Sequence, residues 1–129
     1  MRKAAFVVRD DEQNVEITAI DLSASAGGLL PNINRWRQQI QIDEIAQDEL
    51  DASLQPIDVL GEKGHYVELV GPDDANPRLA ILGVIVQHQN RAWFFKLQGT
   101  ADLALREKER FQSFVSSVTL ATSDGAADE

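Results

Sequence analysis

The chain has 129 residues, 43% of them hydrophobic and 26% charged, with a net charge of −9 and no cysteine. That is the size and balance of one globular domain with enough chain to bury a core unaided, and it leaves no thiol for a disulfide framework or a thiolate metal site. An acidic field repels phosphate backbones and anionic lipid surfaces, and no run approaches the ~18 apolar residues of a spanning helix, so neither nucleic acid nor direct membrane insertion is expected.

The opening "KAAFVV", the charged "RDDEQN" and then "VEITAI" read as a hairpin, because Val15, Ile17 and Ala19 alternate with Glu16 and Thr18 at the period of a half-buried strand. The apolar run before Arg9 is too short for a signal-peptide core, so a mature or trimmed form is expected. "SASAGG" is a small-residue corner in which Gly27 and Gly28 supply the option of positive φ. The spacing of Leu29, Ile33, Trp36 and Ile40 predicts a helix over 29–40, with Pro31 in its first turn. A second helix is predicted over 42–54, with Asp43 as N-cap, Glu44 in the first turn and Pro56 as terminator.

Residues 56–71 read as strand, turn, strand, with Gly61 and Gly64 framing the reversal. After the polar turn "PDDANP" come "RLAILGVIV" and "AWFFKLQG", joined by "QHQNR". Taken as a hairpin, this pairs Val86 with Trp93, Val84 with Phe95 and Leu82 with Leu97, while Leu79, Ile81, Ile85 and Phe94 face the other way. Both faces are then apolar, and a sheet with one wet face would alternate instead. The expected architecture is α+β: an antiparallel sheet of about six strands covered by helices on both faces, an α/β/α sandwich. The last predicted helix follows Thr100 as N-cap and carries Phe111, Phe114, Val115 and Val118 on one face. The domain is expected to occupy 1–121, followed by a disordered acidic tail over 122–129.

Catalytic chemistry finds little support. His65 and His88 are expected in exposed turn positions about four residues apart along neighbouring strands, too far for one metal. No serine sits in a G-x-S-x-G elbow, and the Asp10–Glu12 and Asp73–Asp74 clusters lack the order of a calcium loop. No cofactor, metal or enzymatic activity is expected. The Gly27-Gly28 corner lies before a helix N-terminus, which gives it one chemical option, a small anion.

The stretch "NINRWRQQI" has two readings. Trp36 lies on the apolar stripe and belongs in the core, while Arg35 and Arg37 flank it and pair with nearby carboxylates; the Asn32 and Asn34 amides tie the helix to a neighbouring loop. Alternatively Asn32, Asn34, Arg35, Trp36 and Arg37 form a binding face for a partner or ligand.

Three motifs in order, "AGGLLPNINRWRQQI", "AWFFKLQGTADL" and "KERFQSFVSSV", resemble an uncharacterised bacterial family with an Asn-x-Asn-Arg-Trp-Arg helix, a Trp-Phe-Phe-Lys strand and a closing Phe-x-x-Phe helix. In layout the chain is similar to PsbP-like (Mog/PsbP) α/β/α sandwiches. The resemblance implies an extracytoplasmic or envelope-associated protein with no established activity, in which residues 32–37 are the signature. It further implies a non-catalytic binding or assembly module with a protein partner. The relatives' leader and first Pro-x-Gly-Trp segment have no counterpart here, so an unpaired sheet edge that favours a homodimer is a further expectation beside a monomer. The alternative is a small-anion or small-ligand binding domain using the Gly27-Gly28 turn and the start of the first helix.

Overall fold

The computed structural model describes residues 2–10, 13–23, 25, 28–75 and 77–118, with side chains described from residue 16 onward. The protein is α+β. Strands β1 (Arg2–Asp10), β2 (Gln13–Ser23), β3 (Leu54–Val59), β4 (Glu62–Val70), β5 (Leu79–His88) and β6 (Arg91–Thr100) form an open antiparallel sheet in the order β1-β2-β6-β5-β4-β3. At one edge β1 is paired along the outer side of β2. The helices are α1 (Leu29–Gln39), α2 (Gln47–Ser53), α3 (Ala101–Arg106) and α4 (Lys108–Ser117).

The central hairpin has the register read from its apolar pairs: Val86 lies opposite Trp93, Val84 opposite Phe95 and Leu82 opposite Leu97. Because side chains alternate across a strand, this register separates two cores. On one face Ile33, Trp36 and Ile40 of α1 and Leu50 of α2 pack with Val67, Leu69, Ile81, Ile85 and Phe94. On the other, Leu103 and Ala104 of α3 and Phe111 and Val115 of α4 pack with Tyr66, Leu82, Val84, Trp93, Phe95 and Leu97. Helices therefore lie against both faces, as two apolar sheet surfaces require.

The β3–β4 and β5–β6 hairpin turns have positive φ at their two central positions, Leu60-Gly61 and Gln89-Asn90, as a right-twisted hairpin favours. Gly61 thus belongs to the reversal, but Gly64 does not. Gly64 lies inside β4 opposite Ile57, where an added Cβ would meet Val59 and Val86 at 3.0 and 3.2 Å. Gly28 has a φ of −61°, so the expected positive φ is not used there, and Gly27 lies outside the described residues.

Other expectations need correction. Helix α2 begins at Gln47 rather than after Asp43, and its first turn is closed by Glu49, whose carboxylate accepts the Ala46 N–H at 2.9 Å. Asp43 is no cap, because segment 43–45 is drawn out against α1. Pro56 ends no helix: it sits in β3 at the outer edge of the sheet, where a missing N–H is tolerated. The last predicted helix is two, broken at the buried Glu107, where the backbone leaves helical geometry (φ −90°, ψ 5°). The bend lets α3 lie over β5 and β6 while α4 reaches β3. The tail over 122–129 lies outside the described residues. Among the described residues, no helix is long and apolar enough to cross a membrane.

Candidate functional site

Helix α1 sits on the sheet through Trp36, whose six-membered ring is packed closely against Gly83 of β5. A Cβ built on Gly83 would come within 2.2 Å of the ring. Trp36 is 3% exposed and Asn32 5%, so neither presents a surface to a partner. The Asn32 amide donates to the Gly28 carbonyl at 2.7 Å, closing the first turn of the helix from within.

The other flank of α1 holds the segment that follows it. Asn34 grips the backbone of Ile45 with both ends of its amide: Nδ2 donates to the Ile45 carbonyl at 3.0 Å, and Oδ1 accepts the Ile45 N–H at 2.8 Å. This is the geometry of one strand pair, supplied by a side chain. Arg37 donates through Nε to the Asp43 carbonyl, and Gln38 donates to the Glu44 carboxylate. The chain is turned into this position by a reversal at Gln41 (φ 68°), with Gln41 N–H bonded to the Gln38 carbonyl at 3.1 Å and Ile42 N–H to the Arg37 carbonyl at 3.0 Å. That pair of bonds is the Schellman pattern, here closed by a glutamine in place of the usual glycine.

Arg35 points to the opposite flank. It is exposed and has no ion pair among the described residues. The expectation that both arginines pair with carboxylates is therefore corrected: Arg37 binds a carbonyl, and Arg35 faces another cation. That cation is Lys96 of β6, across a recess of about 200 Å³ between α1 and the β2–β6 pair. Gln39, one helical turn beyond Arg35, accepts a hydrogen bond from Lys96 Nζ at 2.6 Å. Phe94 and Ile20 contribute apolar lining beside Trp36, and Thr18 stands opposite Lys96 in the sheet register. Burial lowers the Lys96 pKa from the ordinary lysine value, the Arg35 charge lowers it further, and the Glu16 carboxylate works the other way.

Sequence reasoning missed Lys96 and Gln39. The signal was present in "AWFFKL": a lysine between Phe95 and Leu97, in a strand whose neighbours are apolar on both faces, needs a reason to be there.

The histidines do not converge. His65 pairs with Ile85, so its side chain is on the α1 face, whereas His88 is on the α3–α4 face. His88 is not the exposed turn residue expected, because its Nδ1 lies 3.2 Å from the Glu62 carboxylate and its side chain is only 16% exposed. Beyond it, Arg91 pairs with the buried Asp21 at 3.0 Å and ties β6 to β2. A wider groove of about 420 Å³ between β3 and α4 is lined by Gln55, Pro56, Tyr66 and Gln112. Its titratable group, the Tyr66 hydroxyl, donates to Glu68 at 3.1 Å.

No protein-family model matches this chain, and no curated protein aligns with it significantly.

Proposed function

We propose that this chain is a non-catalytic binding module that takes a small anion in the recess between Arg35 and Lys96. One observation carries the reading. Two cations converge on a partly apolar recess in an acidic protein, and neither forms an ion pair among the described residues, although the Glu16 carboxylate is near enough to act on Lys96. Arginine and lysine that serve only the surface are ordinarily fully solvated or set beside carboxylates, whereas a pair of like charges raises the local affinity for an anion.

The remaining motif residues point the same way by their occupation. Asn32, Asn34, Trp36 and Arg37 are engaged in holding α1 to the sheet and to segment 43–45, which leaves Arg35 as the member of the signature directed outward. Our reading of the layout as PsbP-like supports a non-catalytic role, since such domains act as binding or assembly modules. The site differs from the Gly27-Gly28 corner that the sequence offered as an alternative, because the cations stand on the middle of α1 and on β6 and not at the start of the helix.

The test is thermal unfolding against phosphate, sulfate and small carboxylates. A ligand present at 100 times its dissociation constant adds about 2.7 kcal/mol of stability. We expect at least one anion to stabilise the wild type and to lose that effect in Arg35→Gln and Lys96→Gln. Stabilisation that survives both substitutions would place the anion elsewhere, and no stabilisation across the panel would overturn the proposal.

A further inference from the structure

We infer that the ligand of this recess is an amphipathic monocarboxylate: one carboxylate held between Arg35 and Lys96, with a flat apolar body of about one ring lying against Phe94 and Ile20. The inference rests on the anion reading above and narrows it to a class.

Size is the first argument. A recess of about 200 Å³ is several times the ~30 Å³ that one water occupies in the liquid. It is smaller than the ~300 Å³ at which pockets for drug-sized ligands begin. A bare inorganic anion would leave most of it as water against apolar side chains. A single ring with one charged substituent is of the right order.

The lining is the second argument. Trp36 and Phe94 are both nearly inaccessible in their own right, so the edges they contribute form a rigid apolar floor rather than mobile surface groups. The cations stand on the walls, on α1 and on β6. An anion whose charge is spread around a sphere cannot satisfy both, because any pose that meets the cations also presses hydrated oxygens on the floor. A carboxylate is planar, charged at one end and apolar behind. The planar guanidinium fork of Arg35 matches its two oxygens, while the Lys96 ammonium acts as a point charge.

The polar rim is the third argument. Lys96 can only donate, so the oxygen of Gln39 must face it, and the Gln39 amide nitrogen is turned away as a donor at the rim. Thr18 adds a hydroxyl near Lys96. The Glu16 carboxylate, close enough to act on Lys96, sets a limit on the negative charge the site accepts and favours a monoanion over phosphate.

The experiment uses the full chain and four probes: benzoate, acetate, inorganic phosphate and benzyl alcohol. Binding is followed by titration with two-dimensional NMR, reading the Trp36 indole and the Arg35 Nε–H signals, and by calorimetry. Benzoate is expected to bind at least ten-fold tighter than acetate or phosphate, with benzyl alcohol showing no saturable binding. Arg35→Gln and Lys96→Gln should each weaken benzoate by ten-fold or more. Arg106→Gln, an exposed arginine on the opposite side of the sheet, should leave it unchanged. Far-ultraviolet circular dichroism checks that each variant is folded. If acetate or phosphate binds as well as benzoate and both recess variants abolish it, the anion reading stands and the amphipathic inference falls. If benzyl alcohol competes with benzoate at equal strength, the site is apolar and both fall. If no probe binds, or benzoate binds equally to the recess variants, both fall as well.

Discussion

Gly83→Ala isolates the contact on which α1 depends. In the folded chain the added methyl would sit 2.2 Å from Cζ3 of Trp36, 2.8 Å from Cη2 and 2.9 Å from Cε3, where ordinary contact begins near 3.4 Å. The ring must retreat by more than an ångström, and it is buried in one cluster with Ile33, Ile81, Ile85 and Phe94, with open space only along the edge that borders the recess toward Lys96. Overpacking of this kind costs about 1–3 kcal/mol, and a displaced helix places the result toward the upper end. In isolation the same substitution would be favourable by about 0.4–1 kcal/mol, because alanine restricts the unfolded chain and β5 has no positive φ at this position. The sign of the effect therefore depends on Trp36. Trp36→Ala alone should cost about 3–5 kcal/mol. In that background Gly83→Ala should turn neutral or stabilising, giving a coupling of about 2–3 kcal/mol between the two sites. Urea unfolding of the four proteins measures it, and Trp36→Leu supplies a second background if Trp36→Ala is too unstable. Additive effects within about 0.5 kcal/mol would show that the ring does not rest on Gly83, and the account of how α1 is seated would be wrong.

Four further outcomes follow from the same contacts. Asn34→Ala removes both bonds to Ile45 and should cost about 1–3 kcal/mol, with faster proteolysis in segment 41–46; unchanged protection there would refute the clamp. Arg37→Ala, whose partner is one exposed carbonyl, should cost about 0–1 kcal/mol in urea unfolding, and Arg35→Ala should cost no more, since it removes a like charge from beside Lys96. Burial first, then the Glu68 charge and its hydrogen bond, push the Tyr66 hydroxyl pKa above its ordinary value of 10.0. The unfolded chain thus releases this proton sooner, so stability should fall as pH rises past about 10, and Tyr66→Phe should flatten that fall in unfolding curves at pH 9 and 11. Lys96 is shifted downward, so the unfolded chain holds its proton more tightly; the stability gap between Lys96→Met and wild type should shrink as pH rises toward the ordinary lysine value of 10.5.

The parts of the fold legible in the sequence were those set by periodicity. The β5–β6 register could be read because Val86, Val84 and Leu82 and their partners Trp93, Phe95 and Leu97 repeat at period two, and a one-residue slip would turn each to the wrong face. The α1 stripe was legible for the same reason at period 3.6. The failures arose where a long-range contact overrode a local preference. Asp43 and Glu44 look like a helix start, but Asn34, Arg37 and Gln38 already hold that segment extended, so α2 waits until Gln47. Pro56 looks like a helix stop because nothing local says that Leu54 pairs with Val67 and begins an edge strand. The α3–α4 break at Glu107 leaves no proline or glycine to mark it. The site was half legible: Arg35 was named, but its neighbour is sixty-one positions away in a strand dominated by its aromatics.

The arrangement around Lys96 also bears on why such a site would persist. A half-buried ammonium beside a guanidinium is unfavourable in the empty protein, by desolvation and by like-charge repulsion, and both act on Lys96 in the same direction. The Gln39 oxygen and the more distant Glu16 carboxylate offset only part of this. A purely structural design would place an apolar residue at position 96, continuous with Phe94, or a carboxylate opposite it. The motif instead fastens α1 through the Trp36–Gly83 contact on one side and the Asn34–Ile45 clamp on the other, and so positions Arg35 and Gln39 beside β6. Firm support beneath a locally unfavourable pair of charges is what the proposed anion site would require, with a bound anion relieving that cost. On this argument the asparagines and the tryptophan of the signature serve binding indirectly. Substituting them should weaken anion affinity only in proportion to the loosening of α1, while substituting Arg35 should weaken it by ten-fold or more and leave the fold intact.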